Sequence, residues 1–109
     1  MAKKRIPKQV EKKIKEYVDI LKADNLPIKK VILYGSYAKG RQHKWRDIDV
    51  CIISPKFKDP FKALQYLSLK TIFDMKYTIE PVGFSPRAFQ DKYDSFIYEI
   101  KTTGIEISV

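Results

Sequence analysis

Cysteine, histidine and asparagine each occur once in this 109-residue chain, as Cys51, His43 and Asn25. A lone cysteine cannot close an internal disulfide, so the fold has to rest on its core, as suits a reducing, cytoplasmic setting. A lone histidine without a partner at ligand spacing gives no footing for a zinc site, and His43 reads as a loop residue. No apolar run approaches the roughly 18 residues of a membrane span. The start, Met1 to Lys4, lacks the apolar centre of a signal peptide, and Met1 to Arg5 is expected to fray. There is no internal repeat and no low-complexity tract. The scarcity of asparagine beside 32% charged residues leans toward a thermophilic source.

What is present is an ordinary core-forming composition and a strong excess of positive charge. The length predicts one domain, residues 1–109, large enough for a single core. Net charge is +9, which favours negatively charged partners: nucleotides, RNA or acidic proteins. Charge alone does not choose among them, and a lysine-rich solvated surface would look the same.

Pro7 suits the first turn of a helix. Val10, Ile14, Tyr17, Val18 and Leu21 then recur at helical spacing, opposite a charged face, until Asn25 and Pro27. Val31 to Tyr34 reads as a short buried strand, broken by Gly35-Ser36, with a helical turn over Ser36 to Lys39. A polar connection from Gly40 to Lys44 and then Trp45 precede a second strand, Asp47 to Ile53. A loop at Pro55 to Pro60 leads to a helix over Phe61 to Asp74 with a broad apolar surface: Phe61, Leu64, Leu67, Leu69, Ile72 and Phe73. A third strand spans Tyr77 to Phe84, with Pro81 suited to a sheet edge or a bulge. Ser85-Pro86 opens a short helix containing Phe89. Another helix, Ser95 to Thr103, is stopped by Gly104 before an extended tail, Ile105 to Val109. This order predicts an α/β fold, a two-layer α+β sandwich in which helices pack a small mixed sheet.

The chemistry concentrates between Tyr34 and Ile53. Period-two alternation puts Asp47 and Asp49 on one strand face and Ile48 and Val50 on the other. Two such carboxylates repel unless a cation or proton lies between them. Hard oxygen donors in this arrangement suit Mg²⁺, which binds through one or two carboxylates plus substrate phosphates. Gly35 lets the backbone approach a ligand, and free N–H groups at the start of a helical turn favour an anion. Cys51 shares the carboxylate face; it reads as a small buried strand residue rather than a reactive thiol.

Gly35-Ser36, ten residues, then Asp47-x-Asp49, with Glu80 in a later strand, resembles the signature of the DNA polymerase β-like nucleotidyltransferase superfamily. The likeness spans about residues 30 to 86 and is nearest to its minimal nucleotidyltransferases, small proteins often encoded beside a HEPN-domain partner. It departs in two places: Arg46 stands where many relatives carry a small hydroxyl residue, and Val82-Gly83 where some carry a histidine.

The resemblance implies the family's fold and a transfer of AMP from ATP to a hydroxyl, with two Mg²⁺ ions. Asp47, Asp49 and Glu80 would hold metal, and Glu80 would orient or deprotonate the acceptor. Gly35 and Ser36 would hold the β- and γ-phosphates. Lys39, Arg41 and Lys44 are candidates for triphosphate oxygens, and Trp45 or Tyr37 for the base. By the same analogy the acceptor is a tyrosine of a HEPN-type toxin, which makes this chain the antitoxin. The acceptor pocket then comes from another chain or from a second copy of this one, so a homo-oligomer is a further option. Two alternatives stand beside this reading. One is a non-catalytic module that neutralises a partner protein or holds nucleic acid, which the intact aspartate pair disfavours. The other is a transferase acting on RNA ends or small molecules.

Overall fold

A computed structural model describes residues 6–35, 37–38, 47–71 and 77–109. Met1 to Arg5, expected to fray, the expected helical turn at Ser36 to Lys39 apart from residues 37–38, the 40–44 connection, Trp45, and Ile72 to Asp74 of the expected second helix lie outside the described residues. The elements run α1 (Lys8–Ala23), β1 (Lys30–Tyr34), β2 (Asp47–Ile53), α2 (Pro60–Leu69), β3 (Thr78–Phe84), a 3₁₀ turn (Ala88–Gln90), α3 (Ser95–Thr103) and β4 (Ile105–Glu106).

The strands form one mixed sheet in the order β3-β2-β1-β4. β2 and β3 are parallel and joined through α2, while β1 is antiparallel to both of its neighbours. Alternation along the strands sorts side chains into two cores. Val31, Leu33, Ile48, Val50, Ile52 and Ile79 face α1 and α2 and share a core with Val10, Ile14, Tyr17, Val18, Leu21 and Leu67. Ile32, Cys51, Ile53 and Phe84 face the other way and meet Phe89, Ile97 and Ile100 of the 3₁₀ turn and α3. The helices thus form one full layer against the sheet, with α3 adding a partial cover on the reverse.

The stripe expected in α1 is buried residue for residue, and its end is marked by Asn25 in a left-handed conformation, φ 63°. Pro81 lies in an edge strand, where its missing N–H costs the sheet no bond. The extended tail contributes a fourth strand, Ile105 and Glu106, paired with Leu33 and Ile32.

The second helix differs from expectation. It ends at Leu69, because Lys70 N–H and Thr71 N–H turn back to the carbonyls of Leu67 and Ser68, and the Thr71 hydroxyl also donates to Ser68. That tightened last turn satisfies carbonyls that a longer helix would have used. Its apolar surface is not buried either: only Ala63 and Leu67 are, while Phe61, Leu64 and Leu69 stand exposed. α2 begins at Pro60, with the Asp59 carboxylate accepting from Phe61 N–H at 2.9 Å.

Candidate active site

The register of three strands assembles one row of side chains across the sheet. Tyr34 of β1 lies opposite Asp49 of β2, and Asp49 lies opposite Glu80 of β3. Asp47 is on the same face, opposite Thr78. One row inward come Ile32, Cys51 and Val82, which belong to the apolar cover under α3. The acidic row therefore begins where that cover stops. Asp47 and Glu80 are exposed and Asp49 is half-buried.

Burial pushes the Asp49 carboxyl up to about 6, and the charges of Glu80 and Asp47 push the same way. None of the three is salt-bridged among the described residues. Burial, and then the negative charge of Asp49, also raise the Tyr34 phenol well above its usual range, so it stays a neutral donor. Its ring meets Phe96 of α3 edge-on at 5.6 Å. A cleft of about 380 Å³ opens over this row, with Tyr34, Asp49, Glu80 and Val82 on one side. It extends to Leu64 and Ser68 of α2 and to Thr71 just after that helix. A second cavity, about 290 Å³, lies between Asp24, Lys56, Phe57 and Tyr66, and no motif residue lines it.

Gly35 sits in the turn after β1 with φ +74°, a region that glycine occupies without steric cost. A Cβ there would collide with the Asp49 carboxylate, its carbon only 3.1 Å away. The missing side chain lets that carboxylate lie against the turn, so the glycine and the aspartate of the motif are one packed unit. Ser36, Lys39, Arg41, His43, Lys44 and Trp45 lie outside the described residues. Tyr37 packs against the core on the α1 side. Cys51 is fully buried and its thiol is pushed up to about 12 by burial, which makes it an inert strand residue.

The donor set suits a hard cation. The Asp49 carboxyl, which burial and the neighbouring negative charges hold toward protonation, is relieved when a dication shares it. Among the described residues no group of three or more carboxylate, imidazole or thiol side chains converges into a ready-made cage.

The sequence reading placed Asp47 and Asp49 on one face, and so they are. It gave Tyr34 no role beyond strand-forming, although its position two residues after Ile32 puts it on the face of the carboxylates. The contribution of α2 to the cleft carried no sequence signal, because it depends on how that helix crosses the edge of β3.

The sequence pattern of the nucleotidyltransferase domain matches residues 14–108. A provisionally named protein adenylyltransferase of Methanocaldococcus jannaschii is 27% identical over 100 residues, 91% of this chain and 96% of that protein. Among solved structures, a provisionally named nucleotidyltransferase from Sulfolobus solfataricus superposes with a TM-score of 0.63 at 16% identity, over 90% of this chain and 78% of the other. A toxin–antitoxin crystal structure with AMP-PNP gives a TM-score of 0.51 at 22% identity, over 90% of this chain and 72% of the other. These two share the fold. With the pattern covering the strands, the turn and all three carboxylates, this chain belongs to the nucleotidyltransferase domain family.

Proposed function

We propose that this protein is a Mg²⁺-dependent adenylyltransferase that moves AMP from ATP to a hydroxyl of a partner protein. The acceptor in this reading is a tyrosine of a HEPN-type toxin, and the chain is the antitoxin of that pair. The observation that carries it is the Asp49–Glu80 pair, opposed in register beyond the apolar cluster under α3, with the Gly35 turn packed against Asp49. The names borne by the adenylyltransferase relative and the toxin–antitoxin neighbour support the substrate and partner classes.

In the reaction, the acceptor oxygen attacks the α-phosphorus of ATP. A new P–O bond forms, the bond to the β-phosphate oxygen breaks, and pyrophosphate leaves. Glu80 is exposed at the mouth of the cleft, and in this role it takes the proton of the acceptor hydroxyl. Asp47 and Asp49 hold the metal, with Glu80 assisting. When bound, two Mg²⁺ ions supply charge stabilisation to the attacking and leaving oxygens. Gly35 and Ser36 offer backbone N–H groups to the terminal phosphates, and Lys39 and Arg41 add cations.

Incubation with α-labelled ATP and Mg²⁺, with and without the protein encoded by the adjacent gene, tests the proposal. Label is expected on the partner and is expected to vanish with Asp47→Asn/Asp49→Asn. No label, together with a double variant that still binds and silences the partner, would leave a non-catalytic binding module.

A further inference from the structure

The two helices that close one side of the sheet present opposite chemistry to solvent. α1 shows Lys8, Glu11, Lys12, Lys15, Glu16 and Asp19, a charged surface of both signs. From Ala63 to Leu69, two turns, α2 carries no charge, and Lys62 is exposed in the turn before. At 3.6 residues per turn, Phe61, Leu64, Gln65, Ser68 and Leu69 fall within one sector of roughly 140°. Phe61 is 67% exposed, Leu64 41% and Leu69 85%. In a chain with 32% charged residues, that gap is a specific feature.

The rim of the stripe is mainly basic. Lys56, Lys58, Lys62 and Lys70 flank it; Asp59 is engaged as the helix cap, and Asp24 of the α1 end pairs with Lys70 at 3.5 Å, which leaves Lys58 and Lys62 as the cations nearest the start of the stripe. An apolar centre inside a charged rim is the anatomy of a protein–protein interface. The stripe is also continuous with the carboxylate cleft, since Leu64 and Ser68 line that cleft together with Asp49 and Glu80. A chain lying on α2 and crossing the edge of β3 brings its own side chains to the acidic row.

We propose that the uncharged face of α2 is the docking surface for the acceptor protein, which meets it with an apolar patch ringed by acidic side chains. This inference rests on the adenylyltransferase reading. The charge of the chain selects a partner over a second copy. Two copies at +9, meeting lysine rim to lysine rim, repel.

The test pairs binding with label transfer, using the purified product of the adjacent gene as probe. Phe61→Glu/Leu69→Glu changes two exposed positions outside the cleft, and Lys58→Glu/Lys62→Glu reverses the rim. Each is expected to weaken binding to the probe by roughly tenfold or more and to lower transfer in parallel, with the melting shift caused by Mg²⁺ and ATP unchanged. Raised salt is expected to weaken wild-type binding. Undiminished binding by both variants overturns the proposal, as does a wild-type chain that does not bind the probe. Self-association abolished by Phe61→Glu/Leu69→Glu also overturns it and assigns the face to a second copy. Wild-type binding that the variants lose, without any label transfer, sustains the docking surface and refutes the adenylyltransferase reading alone.

Discussion

The two faces of the sheet are treated differently. On one, α1 and α2 bury Val31, Leu33, Ile48, Val50 and Ile52 completely, and the Tyr17 hydroxyl spans the helices to the Leu67 carbonyl at 2.8 Å. On the other, α3 and the 3₁₀ turn cover Ile32, Cys51 and Ile53, reach Tyr34 through Phe96, and stop short of Asp49 and Glu80. The same three strands, β1, β2 and β3, therefore serve a dry core on one side and an acidic row on the other. If the acidic row acts as proposed, stability and chemistry belong to opposite surfaces of one sheet, and substitutions on the two faces should separate in what they change.

The sharpest break comes on the open face. Asp49→Asn keeps the shape and removes the charge. Loss of groups that merely orient a metal ligand costs on the order of 10–100-fold, so loss of a ligand itself is expected to cut label transfer by at least about 100-fold. The melting temperature at neutral pH is expected to hold or rise, because the buried charge and its repulsion with Glu80 and Asp47 are gone. On the closed face, Leu67→Ala is expected to do the reverse. Leu67 is fully buried between the helices and the sheet, and its truncation should cost about 2–5 kcal/mol in urea unfolding. Transfer per folded molecule should stay near wild type. A Leu67→Ala protein as inactive as Asp49→Asn would refute the division.

Gly35→Ala tests the seam between turn and strand. The left-handed φ strains any other residue, and the added Cβ meets the Asp49 carboxylate. A cost on the order of 1 kcal/mol is expected from the backbone alone. The displaced carboxylate should also lower Mg²⁺ affinity, read as a smaller metal-induced melting shift. An unchanged metal response would mean that Asp49 does not depend on the turn.

Much of this division was legible in the chain before any coordinates. Strict alternation in Asp47-Ile48-Asp49-Val50 fixes two faces of different polarity, and the α1 stripe points to one of them. Period-two and period-3.6 patterns are local and survive in any tertiary setting. What could not be read is non-local. The pairing of Asp49 with Glu80 depends on the register of a parallel crossover through α2, which no local pattern carries; only the family resemblance pointed to Glu80. The outward face of α2 misled for a related reason. Phe61, Leu64 and Leu69 look like core residues, but the sheet has room only for Ala63 and Leu67 beneath that helix, with Gly83 bringing β3 close to Phe57 and Ala63. Apolar residues in excess of what a core can absorb say that a surface exists, not where it lies.

The smallest expected effect is a dependence of stability on pH that belongs to the open face. Asp49 titrates near 6 in the folded protein, above the ordinary carboxylate value of 3.8. The folded state therefore holds a proton that the unfolded chain releases earlier. A raised carboxylate of this kind contributes stability that is complete below about pH 4 and lost as pH climbs through about 6. The metal-free protein should thus lose a few degrees of melting temperature over that window relative to Asp49→Asn, with no further divergence above it. Mg²⁺ favours the charged form, so its stabilising effect should be weak at pH 5 and grow toward pH 7. The difference curve between wild type and Asp49→Asn isolates this group from every other that titrates in the range. A flat difference would mean that folding leaves the Asp49 carboxyl at its ordinary value, and a difference of opposite slope that a cation of the chain is paired with it. In either case the open face would not be poised for a metal, and the contrast between the two surfaces would be one of exposure alone.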